Sequence, residues 1–312
     1  MHCAVIVNPT KIDDLAGLQG KLTEIAASHG HGAPQLVETT EDDPGFGQTR
    51  QALAAGASLI CPMGGDGTVR AVAAELVGTG VPMGLLPGGT GNLLARNVGA
   101  PVNDLADAFE VALTGTDRTI DVGWLILDPT GDQLHSAPPA RADNVHCFTV
   151  MAGFGFDAQV MGDAPEGLKA KLGWAAYVAS GSKHLGDDGF DLQVSIDGQP
   201  ATHELARTAI VGNCGELTGG MRLLPDAEVD DGLLDLVVLT PENIAQWAGL
   251  AARIVAGRES EGPAIDRYQG RDILLRPERP QLAEVDGDVL TECASARLVV
   301  QPACLVLRVA EQ

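Results

Sequence analysis

Residues 57–70 read A-S-L-I-C-P-M-G-G-D-G-T-V-R. An apolar run ends in Gly64-Gly65-Asp66-Gly67-Thr68, and helix-like spacing resumes over residues 69–77. The same grammar follows at once. Residues 81–87 are apolar, Gly88-Gly89-Thr90-Gly91-Asn92 interrupts them, and Leu93-Leu94-Ala95-Arg96 returns to helical spacing. Each copy predicts a strand, a glycine turn and a helix start, an arrangement that aims backbone N–H groups at an anion. Glycine lets the main chain approach phosphate oxygens with no Cβ in the way. Thr68 and Thr90 add hydroxyl donors, and Asp66 lies among these donors where it could hold a metal ion on the phosphates. Tight turns of an α/β sheet would look similar, but two in succession favour a phosphate site.

The flanking sequence has the same alternation. Residues 3–7 are an apolar strand that turns out through Asn8-Pro9-Thr10, and Asp14 can cap a helix with Leu15, Leu18, Leu22 and Ile25 on one face. Residues 35–38 read as a strand, residues 48–55 as a helix and residues 105–113 as another helix. Strand and helix alternating at this length imply a parallel sheet covered on both faces. Ligands collect at the carboxyl ends of such strands, where Asn8, Thr39, the Gly64 turn and Thr90 all fall.

After about residue 121 the texture changes. Residues 128–143 are a polar, Pro- and Gly-containing stretch that reads as an exposed loop. Strands are predicted over residues 145–151, 190–196, 208–211, 233–239 and 272–276, with hairpin turns at Asp197-Gly198 and Asp286-Gly287. Residues 296–309 read as one or two strands broken at Pro302. Two helices interrupt this β-rich half, one over about residues 169–185. The other opens at Thr240-Pro241 and carries Ile244, Trp247, Ala251 and Ile254 on one face.

Composition narrows the classes. Twenty basic against forty-two acidic residues give a net charge of −22, the opposite of the basic footprint that nucleic-acid binding needs. The same balance disfavours strong adsorption to an anionic membrane. The six cysteines are scattered without a Cys-x-x-Cys pair and read as reduced thiols of a cytoplasmic protein. No secretory leader is read at residues 1–7, and the uncharged stretch over residues 76–95 holds too much Gly and Pro for a membrane helix.

Other motifs are weaker. Gly153-Phe154-Gly155-Phe156-Asp157-Ala158 matches a dinucleotide fingerprint but lies in the β-rich half, outside any βαβ unit. Asp230-Asp231-Gly232 and Asp286-Gly287-Asp288 read first as turns. A kinase acting on a hydroxyl needs a carboxylate to orient or accept the proton, and Asp286 and Asp288, two apart, would face one side of an extended segment. There is no Gly-x-Ser-x-Gly elbow and no Gly-x-x-x-x-Gly-Lys-[Ser/Thr] loop.

Taken in order, these segments resemble the diacylglycerol kinase catalytic-domain family, which includes bacterial lipid kinases and sphingosine kinases and is more distantly similar to NAD kinases. The resemblance runs from Gly64-Gly65-Asp66-Gly67-Thr68 and Pro87-Gly88-Gly89-Thr90-Gly91-Asn92 through residues 152–158 and Val211-Gly212-Asn213. It continues through Gly219-Gly220, Pro225-Asp226-Ala227 and residues 230–235 to Asp286-Gly287-Asp288. It implies an α/β class fold. A Rossmann-like α/β nucleotide domain would span residues 1–122, joined again by about residues 299–312, and a β-rich, sandwich-like lipid-substrate domain would span residues 123–298. Nucleotide contacts implied are Asn8, Thr39, Thr40, Gly64, Gly65, Asp66, Gly67, Thr68, Val69, Thr90 and Asn92. Catalytic carboxylates implied are Asp286 and Asp288, together with Asp66. A magnesium site would map to Asp231 with the main-chain oxygens of Glu228 and Leu233.

The resemblance thus implies an ATP- and Mg²⁺-dependent kinase that phosphorylates the hydroxyl of a diacylglycerol-like or sphingoid lipid. The protein would be cytoplasmic, peripheral at a membrane surface, with a homodimer left open. Two alternatives stand beside it: NAD kinase-like phosphorylation of a soluble acceptor, and a nucleotide-binding regulator without turnover. This sequence departs from the common pattern at Asp288, where Glu is usual, at Leu93, and at Asn8-Pro9-Thr10-Lys11.

Overall fold

A computed structural model describes residues 1–135, 142–155, 189–217, 221–241, 246, 249, 253 and 264–311. It divides into two compact units, Met1–Val122 with Pro302–Gln312, and Gly123–Gln301. The helix read at residues 169–185 lies outside the described residues. So do Ile244, Trp247, Ala251 and Ile254 of the second helix, whose described members Gln246, Gly249 and Arg253 are helical.

The first unit alternates as its sequence predicts: β1 (Cys3–Val7), α1 (Leu15–Ser28), β2 (Gln35–Glu38), α2 (Phe46–Ala54), β3 (Leu59–Gly64), α3 (Asp66–Leu76), β4 (Leu86–Pro87), α4 (Leu93–Asn97) and α5 (Leu105–Thr114). The strands form a parallel sheet in the order β2-β1-β3-β4. Asp14 starts α1 by accepting the Gly17 N–H, and the helix ends where Gly30 takes φ 74°. Its apolar stripe puts Leu18 and Leu22 into a core with Val5, Cys61 and Phe109, each large side chain contributing about 1.5–3 kcal/mol of burial.

Two details differ from the sequence pattern. α3 starts at Asp66, so Asp-Gly-Thr is its first turn rather than a loop before it. The apolar stretch 81–87 pairs as a strand only at Leu86–Pro87, with an isolated bridge from Met83 to Ile60 on one side and Leu307 on the other. Pro82 has no N–H to give a ladder, and Gly84 is pressed so close to α5 that a Cβ there would lie 2.4 Å from the Ala112 Cβ.

β5 (Thr116–Leu127) carries the chain from the first unit into the second. The second unit continues with β6 (Val145–Phe148), β7 (Met151–Gly155), β8 (Phe190–Ile196), β9 (Thr202–Ala206), β10 (Thr208–Gly212), β11 (Glu216–Leu217), β12 (Met221–Arg222) and β13 (Leu234–Leu239). Then come β14 (Ile265–Gly270), β15 (Asp272–Pro277), β16 (Gln281–Val285), β17 (Asp288–Cys293) and β18 (Ala296–Val309). They make two six-stranded sheets, β14-β13-β10-β7-β16-β17 and β6-β5-β18-β15-β8-β9, and a two-stranded sheet, β11-β12. The core of this unit includes Phe148, Phe154, Leu192, Leu236, Leu275 and Leu298, with Phe154 and Phe190 in edge-to-face contact.

Residues 145–151, expected as one strand, are two strands in different sheets, because the Asp286 carboxylate takes the three amides at their junction. β18 is one strand rather than two: at Pro302-Ala303 the chain bulges with Ala303 at φ 47°, and the freed Ala303 N–H donates to Asp121 at 2.7 Å. Its end lies in the first unit, where Leu307 bridges Met83. β9, β14 and β17 escaped the sequence pattern because their exposed faces carry charges in no strict alternation, as in the half-exposed run of β17, while β5 and β16, also not anticipated, are largely buried. The expected loop after β5 contains a short 3₁₀ turn at Gly131–Leu134, and residues 136–141 lie outside the described residues.

All six cysteines are free, five of them buried. Cys3 and Cys61 lie 4.0 Å apart, and their hydrogen bond together with burial raises the Cys61 thiol well above its ordinary value. Among the described residues no helix is long and apolar enough to cross a membrane.

Asp197 and Gly198, at φ 50° and 72°, turn β8 into β9, and the Asp197 carboxylate accepts the Arg271 and Asp272 N–H groups at 2.9 Å each. Asp197→Ala should lower stability by about 1–3 kcal/mol in urea denaturation, because two amides lose their acceptor. An unchanged midpoint would show that this clamp contributes nothing.

Candidate active site

The tips of β1 and β3 are tied by the Asn8 N–H, which donates to Met63 O at 3.1 Å. The Asn8 side chain faces its own turn and accepts from Thr10 N at 3.0 Å and Thr10 Oγ1 at 2.8 Å. Thr39, buried, hangs from the β1 tip through its N–H to Val7 O at 2.9 Å. Thr40 is exposed, and its hydroxyl accepts the Asp43 N–H at 3.1 Å. Asp43 in turn accepts from Gly45 N and Gly47 N, which fixes the start of α2 beside this tip.

The two glycine turns touch through bare backbone. A Cβ on Gly88 would lie 2.6 Å from Gly64 N and 2.8 Å from Met63 C, and one on Gly89 would lie 2.7 Å from Gly65 Cα. Only hydrogen fits at either position. Gly65 differs, since a Cβ there would meet nothing within 4 Å. As the residue ahead of α3 it has no side chain to cap that helix. The Thr68 and Val69 amides close back onto Gly65 O at 3.0 and 3.1 Å, and the Thr68 side chain packs against Gly64.

Asp66 joins the turns. Its Oδ1 accepts the Leu93 N–H at 2.8 Å, and its Oδ2 sits where a Cβ on Gly91 would be 2.4 Å away. The carboxylate therefore holds α4 in place, in addition to any part it plays toward a ligand. Asn92 takes the left-handed conformation, φ 47° and ψ 45°, that asparagine tolerates, and its amide bonds Gly89 in both directions at 3.3 and 2.9 Å. Arg96 Nε donates to Gly91 O at 2.9 Å. Gly67 is half-buried, Val69 is buried and Thr90 is exposed. The first unit thus brings together Asn8, Thr39, Gly64, Gly65, Asp66, Thr68 and Asn92 as one set of strand tips and helix starts. Sequence reasoning missed Arg96 and the interlock of Gly88 and Gly89, whose partners lie some twenty residues back along the chain.

The second unit holds the other carboxylates. Asp286 is buried at φ 46° and, with Gly287 at φ 87°, makes the two-residue turn between β16 and β17. Its Oδ2 accepts Thr149 N at 3.0 Å and Thr149 Oγ1 at 3.3 Å, and its Oδ1 accepts Val150 N and Met151 N at 3.0 Å each. These amides are the junction of β6 and β7. The side chain draws three consecutive N–H groups out of any ladder, so the chain leaves one sheet there and enters the other. Asp288 stands exposed at the first position of β17, paired in register with Val285. Thr149 gave no sequence signal, because its partner lies 137 residues away.

The residues suggested for magnesium lie around the start of β13. Asp231 Oδ1 accepts the Leu233 N–H at 2.9 Å, and its Oδ2 lies 3.4 Å from the Gln269 amide nitrogen. Glu228 is exposed. Asp235 is pushed up to about 6, first by burial and then by Asp231 and Asp226, with Gln269 and Arg267 acting against that. Among the described residues no group of three His, Cys, Asp or Glu side chains is placed to hold a metal.

Comparison with known proteins places this architecture. A family described as the diacylglycerol kinase catalytic domain matches residues 2–125, and one described as the YegS C-terminal NAD kinase beta sandwich-like domain matches residues 150–309. A probable lipid kinase YegS-like of Pseudomonas putida is 33% identical over 275 residues, 82% of this chain and 79% of that protein. One from Klebsiella pneumoniae is 33% identical over 197 residues, 62% of this chain, and the match spans only 60% of that relative's length. A crystal structure of a diacylglycerol kinase from Bacillus anthracis shares the fold with a TM-score of 0.70 at 19% identity, covering 98% of this chain and 96% of that one. The chain belongs to the YegS-like lipid kinases of the diacylglycerol kinase family.

Gly88→Ala should lower stability by about 1–3 kcal/mol, since the new Cβ meets backbone that cannot rotate away. Gly65→Ala should change it by less than about 1 kcal/mol. Equal losses in urea titrations of the two variants would refute the backbone interlock.

Proposed function

We propose that this chain, as a member of that family, transfers the γ-phosphoryl group of ATP to the hydroxyl of a diacylglycerol-like or sphingoid lipid presented at a membrane surface. The nucleotide is assigned to the unit of Met1–Val122 with Pro302–Gln312, and the acceptor to Gly123–Gln301. The observation that carries the nucleotide half is the uncapped start of α3 beside the glycine turns: Gly65 offers α3 no side-chain cap, and a Cβ on Gly65 would meet open space. Amides aimed outward from a helix start, with no side chain in front of them, suit phosphate oxygens. Thr68 is positioned by the same turn, and Thr90 is exposed beside it.

Phosphoryl transfer asks the protein chiefly for positioning and charge stabilisation. Mg²⁺ would arrive on the phosphates of ATP and neutralise charge there. What this chain supplies is the amide cradle at Gly64–Gly67, its rigid backing through Asp66 and Asn92, and carboxylates at Asp286 and Asp288 for the proton of the acceptor. The lipid acceptor is supported by the kinship with lipid kinases.

Incubation with labelled ATP, Mg²⁺ and a panel of diacylglycerol, sphingoid base and NAD should give a phosphorylated lipid. Label on NAD alone would put the acceptor in the soluble class. ATP binding with no labelled product in any lane would leave a nucleotide-binding regulator. Gly65→Ala should weaken ATP by about tenfold, or roughly 1.4 kcal/mol, by calorimetry, while the fold stays intact. Unchanged affinity in that variant would remove the phosphate from this turn.

A further inference from the structure

The turn Asn8-Pro9-Thr10-Lys11, where this sequence departs from the common pattern, puts a lysine at the end of the parallel sheet that carries the glycine turns. Pro9–Lys11 form a single 3₁₀ turn directly after β1. Its entry is pinned twice. The Asn8 N–H donates to Met63 O at 3.1 Å, and the Asn8 side chain accepts from Thr10 N and Oγ1 at 3.0 and 2.8 Å. Its exit is pinned as well: the Lys11 N–H closes onto Asn8 O at 3.1 Å, and Ile12 packs against the apolar core of this unit. Met63 immediately precedes Gly64 and Gly65, so Lys11 follows a turn tied to the strand that delivers the amide cradle. The Lys11 backbone is thereby fixed. Its side chain is exposed and makes no hydrogen bond or ion pair among the described residues.

Other cations of this unit are already engaged. Arg50 pairs with Glu75 at 2.7 Å, and Arg96 Nε braces Gly91 O. Of the acids that follow Lys11, Asp14 is engaged with the Gly17 N–H. A helix start carries about half an elementary positive charge, far less than the phosphates of a nucleoside triphosphate bring. Resting on the assignment of ATP to this unit, we propose that Lys11 binds the phosphates beyond the first, from the β1 side, while the α3 amides hold the polyphosphate from the β3 side. Lysine supplies a full point charge on a flexible four-carbon stem, which suits an anion whose place is set by other groups. Its ammonium is unpaired before the nucleotide arrives, so no ion pair has to break. Ordering the stem costs entropy, which holds the net gain to about five- to tenfold in affinity.

Calorimetric titration of the full chain with ATP, ADP and AMP tests the assignment. Lys11→Gln should weaken ATP about five- to tenfold, ADP less, and AMP by under about twofold. Its urea midpoint should match wild type, because the side chain has no partner to lose. Lys11→Arg, which keeps the charge, should bind ATP within about threefold of wild type. Lys21→Gln removes the same charge from α1, where Lys21 is exposed near Asp104, and should leave all three nucleotides unchanged. Unchanged ATP affinity in Lys11→Gln would leave a solvated surface lysine and overturn the assignment. An equal loss for ATP and AMP would put the contact on the base, ribose or first phosphate, and an equal loss in Lys21→Gln would make it a matter of net charge. Either result overturns it too. Gly65→Ala separates this inference from the reading it rests on: weakened ATP there, with Lys11→Gln at wild-type affinity, removes Lys11 alone. A wild-type chain that binds no ATP removes both.

Discussion

A backbone N–H that no carbonyl can reach must find another acceptor or be left costly, and this chain meets the need mainly with aspartate. Asp14 and Asp104 do so at the starts of α1 and α5, and Asp43 at the start of α2. Asp66 does so for α4, Asp121 for the bulge of β18, and Asp128 and Asp197 for turns whose partners lie far along the chain. Asp286 is the fullest case, holding three consecutive amides at a crossing between sheets. Part of the acidic excess is therefore structural. At the buried Asp286 the loss of the carboxylate would leave three consecutive amides without their acceptor.

The glycine turns solve the opposite problem. Where Gly88 and Gly89 meet Gly64 and Gly65, backbone lies on backbone and side chains are excluded. The contact brings two helix starts side by side, and Asp66 and Asn92 lock it from within. Rigidity comes from polar side chains bonded inward, so the outward amides stay available to a ligand without a loop having to order on binding. That is how a short five-residue helix such as α4 can hold its place: its entry is fixed by Asp66, Asn92 and Arg96 rather than by its own length.

Much of the first unit was legible because its signals are local. Asp14 precedes an apolar stripe of period 3.6, glycine clusters follow apolar runs, and Asn8 ends a strand, so elements and strand tips could be placed from neighbours alone. The stretch at Met83 misled because Pro82 and the pressure of α5 on Gly84 break a ladder that hydrophobicity alone predicts. In the second unit, residues 145–151 looked like one strand since every side chain in that run suits a sheet. What divides it is a carboxylate from Asp286, visible only in three dimensions. The same separation hid the Thr149, Val150 and Met151 partners of Asp286.

Charge sets a further condition on the site. A protein of net charge −22 repels a polyphosphate at long range, but at physiological ionic strength that field is damped within about 8 Å. Affinity for a polyphosphate would then have to come from groups in direct contact, such as fixed amide dipoles. Arg96, the cation built into the second turn, spends its Nε on Gly91 O and acts as a brace as well as a charge. Sparse positive charge also means that an acidic surface meets an anionic bilayer without general attraction. Contact with a lipid would have to be made by apolar surface and by a site that recognises the hydroxyl itself, so selectivity for the acceptor would rest on local geometry rather than on electrostatic recruitment.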